Sequence, residues 1–265
     1  METLQKFLVD DAQAIVITVH GSGEHIGRHK HVAEWLNKNQ ISMIGGDLPG
    51  LGRSKEIRGH IENFNDYLAK VDEWLRYTKG KWPNKPIFLF GHSMGGLIVL
   101  RYLEELKDKK FLNGAVVTSP SIKIGIEIPK WQLTVAKTLE KIWPTFRLSS
   151  GIKAHQVSRD PEVVERYEKD PLVYSKVSIR WFFEFQRAIA DVWDKIDKLK
   201  GIKLLFMQAG KDLLVDPLAA SDYVAKADNG DIEFHFISDL YHEILNEPEK
   251  ETYLKLMSDW ILDKV

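Results

Sequence analysis

Ile87-Phe88-Leu89-Phe90-Gly91-His92-Ser93-Met94-Gly95-Gly96-Leu97-Ile98-Val99-Leu100 runs an apolar segment, a glycine-flanked serine and a second apolar segment in immediate succession. The first segment, from Pro86 to Phe90, has the composition of a buried strand. The stretch from Leu97 to Leu106 has the spacing of a helix. A serine caught in the tight turn between them must take a strained backbone conformation. Gly91 and Gly95 are the small neighbours that let the flanking backbone close up. Such a turn lifts the Ser93 hydroxyl above the sheet and turns the Met94 amide toward the same space, where the helix N-terminus adds partial positive charge. The chemistry this favours is nucleophilic attack by Ser93. A purely structural turn is the alternative. A phosphate loop fits worse, because no Lys-Ser or Lys-Thr pair follows the glycines.

Outward from this segment, short apolar runs alternate with longer amphipathic ones. Strands are expected at Ala14 to Val19, Ile41 to Gly46, Pro86 to Phe90, Gly114 to Thr118, Lys203 to Met207 and Ile232 to Ile237. Helices are expected at Lys30 to Asn39, Asn65 to Thr78, Gly96 to Lys107, Pro217 to Lys226 and Pro248 to Val265. That order describes a mostly parallel, doubly wound α/β sheet with its site at the carboxyl ends of the strands. Between Thr118 and Ile202 no run suits the sheet, and the gap exceeds an ordinary crossover. Helices are expected there at Pro129 to Trp143 and Val177 to Leu199, with Ile122, Ile124, Ile126 and Ile128 alternating before them. Residues 121–197 therefore read as an inserted cap, or lid, on a core formed by residues 1–120 and 198–265. Two ordinary sheet-covering helices are the plainer alternative.

Composition narrows the function. The chain has 265 residues, 44% of them hydrophobic, and a net charge of -1, without the basic excess of a nucleic-acid binder. The absence of cysteine excludes thiolate catalysis, thiolate metal sites and disulfides. Met1 to Asp11 carries no basic segment followed by an apolar core, so no signal peptide is expected. No apolar run approaches the roughly 20 residues that span a bilayer. A cytoplasmic location is the expectation, with no cofactor and no metal. The histidines His20, His25, His29 and His31 lack the spacing of a helical zinc motif.

A nucleophilic serine needs a base, and the base needs an orienting acid, in the order serine, acid, histidine. Asp212 lies just past the strand Lys203 to Met207. Its rival Asp216 precedes Pro217, which makes it a helix N-cap with first-turn proline and accounts for it structurally. For the base, His242 follows the last strand, whereas His235 lies within it. His92 adjoins the serine but faces into the elbow and reads as scaffolding. Asn246 with Glu249 reads as a capping box for the final helix. The glycines of His20-Gly21-Ser22-Gly23-Glu24-His25 follow the first core strand, and the Ser22 amide is the candidate second oxyanion donor beside that of Met94. The apolar residues of the cap, Ile126 and Ile128 among them, are expected in part to cover the core and in part to line a tunnel or meet an interface.

Several motifs together resemble the monoacylglycerol lipase and lysophospholipase branch of the α/β hydrolases. They are His20-Gly21-Ser22-Gly23-Glu24-His25 with Gly27-Arg28, Asp47-Leu48-Pro49-Gly50-Leu51-Gly52-Arg53-Ser54, and Gly91-His92-Ser93-Met94-Gly95-Gly96. Asp170-Pro171-Leu172, Gly210-Lys211-Asp212-Leu213-Leu214-Val215-Asp216 and Tyr241-His242-Glu243 complete the set, which spans most of the chain. The resemblance implies the α/β-hydrolase fold, a triad of Ser93, Asp212 and His242, oxyanion amides from Ser22 and Met94, and a cap over an acyl tunnel. It also implies that Arg28 lies at the glycerol end. Where the animal enzymes carry a further histidine three residues after the catalytic one, this chain has Leu245. The expected substrate is a single-chain lipid ester, with transient membrane contact through the cap. A lysophospholipase, a broad carboxylesterase and a non-catalytic ligand receptor on the same scaffold are the alternatives.

Overall fold

A computed structural model describes residues 4–106, 108–125, 130–227 and 230–265. In chain order the elements are β1 (Gln5–Phe7), β2 (Ala14–Val19), α1 (Lys30–Lys38), β3 (Ile41–Gly45), α2 (Asn65–Lys81), β4 (Ile87–His92), α3 (Met94–Glu105) and β5 (Gly114–Thr118). There follow α4 (Lys130–Ile142), β6 (Arg147–Ser149), α5 (Pro161–Lys169), β7 (Lys176–Ser178), α6 (Ile179–Asp194), β8 (Leu204–Ala209), α7 (Leu218–Ala227), β9 (Ile232–Ile237) and α8 (Lys250–Asp263).

The main sheet has the order β1-β3-β2-β4-β5-β8-β9. All its pairings are parallel except the edge pairing of β1 with β3. The six expected strands are these parallel ones. β2 and β4 are buried along their whole length, as continuous apolar runs covered on both faces must be. Alternate side chains serve opposite layers. Ile15, Ile17 and Val19 pack with Leu68, Leu97 and Tyr223 from α2, α3 and α7. Val16, Phe88 and Met207 pack with Leu36 of α1 and Met257 and Ile261 of α8. The chain runs from β2 outward to β3 and then back across to β4. The loops after β2 and β4 therefore part company, and a crevice opens between them at the carboxyl end of the sheet.

The described residues between β5 and β8 add no strand to this sheet. β6 and β7 form a separate antiparallel pair, and Ala154, Val157 and Tyr167 make a small cluster of their own. The last helix of the segment is shared with the main core. Trp181, Phe185, Ala188 and Val192 of α6 join the layer on α3, and Trp181 Nε1 donates to the Tyr67 hydroxyl at 2.9 Å. The aromatic run at Trp181 thus packs inward.

Three features depart from expectation. The helix expected over Val177 to Leu199 is α6 alone, because Ser178 caps it after β7, and a separate 3-10 turn at Ile196–Leu199 follows it. The sequence reading passed over α5, although Asp160-Pro161 carries the same cap-and-proline signal as Asp216-Pro217; the Asp160 carboxylate accepts the Glu162 amide at 2.9 Å. The capping box at Asn246 and Glu249 does not form. Glu247 precedes a proline and is extended, with φ -73° and ψ 162°, so the helix starts only at Lys250. Asn246 instead ends a short 3-10 turn and donates to Glu243, while Glu249 pairs with Arg159.

Candidate active site

Ser93 follows β4 with φ 55° and ψ -120°, a left-handed conformation that is costly for any residue with a side chain. The surroundings hold it there. Its amide donates to the Thr118 carbonyl at 2.9 Å, and its carbonyl accepts the amides of Leu97 and Ser121, each at 3.1 Å. A methyl group at Gly95 would collide with the carbonyl of Val19, and one at Gly91 with that of Gly95. These two glycines allow α3 to leave the sheet at the angle the turn requires.

Asp212 and His242 arrive from the ends of β8 and β9. Gly210 donates its amide to the Ile237 carbonyl at 2.7 Å and Lys211 to that of Leu240 at 3.0 Å, which sets the two loops side by side. The Asp212 carboxylate accepts His242 Nδ1–H at 2.7 Å. That bond leaves the Nε2 lone pair to accept the Ser93 hydroxyl at 2.8 Å. Oδ1 of Asp212 accepts the amides of Leu214 and Val215 at 2.9 and 3.0 Å. Burial works against the charged Asp212 carboxylate, but His242 and these two amides outweigh it and hold the group below its usual range. Burial likewise opposes a charged His242, and the neighbouring Asp212 overcomes it, so the imidazole titrates above its ordinary value. An array of this geometry can move a proton from a hydroxyl to an imidazole while a carboxylate steadies the resulting charge.

The rival residues lie elsewhere. Asp216 accepts the Leu218 amide at 3.0 Å and pairs with Lys123 at 2.7 Å. His235 stays in β9, bonded to Glu233 at 2.8 Å. His92 is buried against Thr118 Oγ1 at 3.0 Å, with its ring centroid 4.9 Å from that of His242. Burial, with His242 close by, pushes His92 down to about 4, so it stays neutral around neutral pH.

The loop after β2 brings Ser22 to the wall of the cavity that Ser93 opens into, and a methyl group on Gly21 would crowd Glu24 and the Ser93 side chain. Met94 opens α3, where first-turn amides have no helical carbonyl to bond. The cavity holds about 370 Å³ and is walled mainly by apolar groups, among them Ile124, Leu133, Val177, Trp181, Phe182 and Leu214. Ile124 is pinned by a bridge to Val215. Ile126 and Ile128 lie outside the described residues.

Beside the serine lies a charged cluster that sequence reading did not assemble. Arg28 is nearly enclosed. Its Nη1 donates to Glu24 at 2.8 Å and to Glu243 at 2.7 Å, its Nη2 to Glu243 at 2.8 Å, and its guanidinium sits 4.7 Å from the Tyr167 ring centre. Glu24 also accepts the Gly21 amide at 2.5 Å and bonds His29 at 3.2 Å. Burial opposes both carboxylates; the His29 ring and Arg28 hold Glu24 well below the usual range, and Arg28 holds Glu243 below it. The remaining histidines of this region also have partners: His25 bonds Asp170 at 2.8 Å, His20 accepts the Leu48 amide at 2.9 Å, and His31 bonds the Leu245 carbonyl at 2.7 Å.

Comparison with known proteins adds relatives along the whole chain. The model of a family described as serine aminopeptidase, S33 (Hydrolase_4) matches residues 10–249. Phospholipase YtpA of Bacillus subtilis is 32% identical over 93% of this chain and 94% of its own. A monoacylglycerol lipase of Mycolicibacterium smegmatis is 28% identical, over 95% of this chain and 89% of its own. Among solved structures, the monoacylglycerol lipase of Paleococcus ferrophilus superposes with a TM-score of 0.88 at 29% identity, covering 100% of both chains.

Proposed function

Since the chain belongs to the serine aminopeptidase S33 (Hydrolase_4) family, within the monoglyceride lipase branch of the α/β hydrolases, we propose that it cleaves monoacylglycerols through an acyl-enzyme on Ser93. It is a carboxylic ester hydrolase of the monoglyceride lipase type. The finer reading rests on one observation: Ser93 Oγ stands 2.8 Å from His242 Nε2, with Asp212 2.7 Å behind, at the end of an apolar cavity.

In this mechanism His242 takes the Ser93 proton as Oγ attacks the ester carbonyl. The amides of Ser22 and Met94 receive the oxyanion. His242 then passes the proton to the departing alcohol, and water repeats the cycle to release the fatty acid. Residues 121–197 act as the cap over the acyl chain. Ile142 and Trp143, 77% and 56% exposed, with Leu148 at the cavity wall, 51% exposed, are where it meets a lipid surface. No described helix is long and apolar enough to cross a membrane.

A lysophospholipase is the second reading, favoured by the likeness to a phospholipase at 32% identity. The charges beside the serine argue for the neutral head group. Arg28, the cation beside the serine, is already engaged by Glu24 and Glu243, which weakens its pull on a phosphate.

The test is a substrate panel of monoacylglycerol, lysophosphatidylcholine and triacylglycerol at matched acyl length. The monoacyl glycerol ester should turn over fastest and the triacyl ester poorly. Each buried methylene contributes ~0.8 kcal/mol, so kcat/KM should rise with chain length until the cavity is full. A fluorophosphonate should label Ser93, and Ser93→Ala should lose on the order of 10⁴-fold in kcat. Equal rates on mono- and triacylglycerol would refute the single-chain reading, and labelling of another serine would refute the nucleophile.

A further inference from the structure

Ser93 Oγ has a second neighbour besides His242. The hydroxyl of Ser121, on the loop after the adjacent strand β5, lies 3.3 Å away. Ser121 is 5% exposed and opens onto the same cavity. Its amide donates to the Ser93 carbonyl at 3.1 Å, so backbone and side chain both lie against the nucleophile. The backbone is bent to achieve this. Ser119 has φ 41°, a left-handed angle held by its amide's bond to the Met207 carbonyl at 2.9 Å, and Pro120 then directs the chain over Ser93.

The direction of the hydroxyl contact follows from the protons. The Asp212 carboxylate takes His242 Nδ1–H, so the neutral ring has only a lone pair at Nε2. The single Ser93 proton is committed to that lone pair at 2.8 Å. Ser93 Oγ can then only accept from Ser121. The Ser121 hydroxyl has no other hydrogen-bond partner among the described residues.

We propose that Ser121 is a further catalytic residue, whose hydroxyl donates to Ser93 Oγ and assists its departure when the acyl-enzyme is hydrolysed. The proposal rests on the reading of Ser93 as nucleophile. In deacylation, water gives one proton to His242 Nε2 and its oxygen bonds the acyl carbon. The tetrahedral adduct then breaks its C–Oγ bond, the electron pair returns to Oγ, and the His242 proton follows it. The products are a carboxylic acid and free Ser93. Ser121 keeps its own proton throughout.

The assistance is unequal between the two half-reactions. In the acyl-enzyme Oγ is an ester oxygen, whose lone pair is drawn into the carbonyl, and it accepts a hydrogen bond poorly. As the C–Oγ bond breaks, Oγ gains charge and accepts strongly. In acylation Oγ starts as a free hydroxyl that already accepts well, so the gain on reaching the transition state is smaller. Only the differential counts toward rate.

Burst kinetics with a p-nitrophenyl ester separate the two steps. Ser121→Ala should slow steady-state turnover by roughly 10-fold, the scale of one hydrogen bond to a developing charge, while the burst rate changes less than about 3-fold. Ser121→Thr, which keeps the hydroxyl, should restore turnover. Fluorophosphonate labelling of Ser93 in Ser121→Ala at close to the wild-type rate would show that the variant is folded and competent for attack. Turnover by Ser121→Ala equal to wild type, or an equal slowing of both phases, would overturn the proposal. Failure of the label to reach Ser93 in the wild-type protein would instead remove the nucleophile reading itself.

Discussion

Glu243 holds Arg28 in a two-pronged grip, accepting Nη1–H at 2.7 Å and Nη2–H at 2.8 Å. The two residues are 215 positions apart in sequence; Glu243 is buried and Arg28 nearly enclosed. Glu243 follows His242. Arg28 also reaches Glu24, whose other oxygen takes the amide of Gly21, the residue before Ser22. The ion pair therefore ties the loop of the candidate base to the loop of the candidate oxyanion donor. The Glu243 amide extends the tie to the segment between β5 and β8 through the Val157 carbonyl at 2.8 Å.

Arg28→Ala should therefore act first on stability. It strands two buried carboxylates without their cation, a change that typically costs about 3–5 kcal/mol. Urea denaturation should show this loss, and Arg28→Lys should recover little of it, because an ammonium cannot bond both Glu243 oxygens in parallel. An unchanged unfolding midpoint with a raised KM would show that Arg28 serves substrate instead of the scaffold.

The two aspartates after β8 should respond differently to the same substitution. Asp212→Asn keeps the shape of the side chain but favours the wrong histidine tautomer, at a cost of up to ~10⁴-fold in kcat. Asp216→Asn should keep most activity, since asparagine also caps a helix N-terminus and the Leu218 amide retains an acceptor. The reverse ranking would reassign the acid.

The pH profile carries the sign of the His242 shift. A base works only when neutral, and Asp212 raises the titration of His242 above 6.5. The acidic limb of kcat/KM should accordingly have its midpoint above 6.5, with activity lost as pH falls through it. His92, pushed down to about 4, stays neutral across that limb. In Asp212→Asn the burial penalty remains and the carboxylate is gone, so the residual activity should show a limb at lower pH. A flat profile from pH 5 to 8 in the wild-type protein would count against His242 as the base.

Much of this molecule was legible from residue order alone, because the determining relationships are local. β2 and β4 are short runs of apolar residues, and burial on both faces follows from composition without knowing the neighbours. Ser93 stands out because strand, glycine, serine, glycine and helix are consecutive. Asp212 and His242 were readable from their position, each a few residues past a strand end, in a fold whose parallel strands all deliver their carboxyl ends to one side.

The tertiary structure alone decided which side chains meet across the sheet. Ser121 is one serine in a loop, with no period or motif to mark it. Only the pairing of β4 with β5 and the left-handed turn at Ser119 bring its hydroxyl to Ser93. Arg28 resembled a substrate residue in its motif, and its engagement by Glu24 and Glu243 appears only when the loops after β2 and β9 are folded together. Residue order fixes what each segment can bury and where it must turn. The partners of a buried charge or hydroxyl depend on contacts between segments far apart in the chain, where the low dielectric requires each polar group to find an opposite.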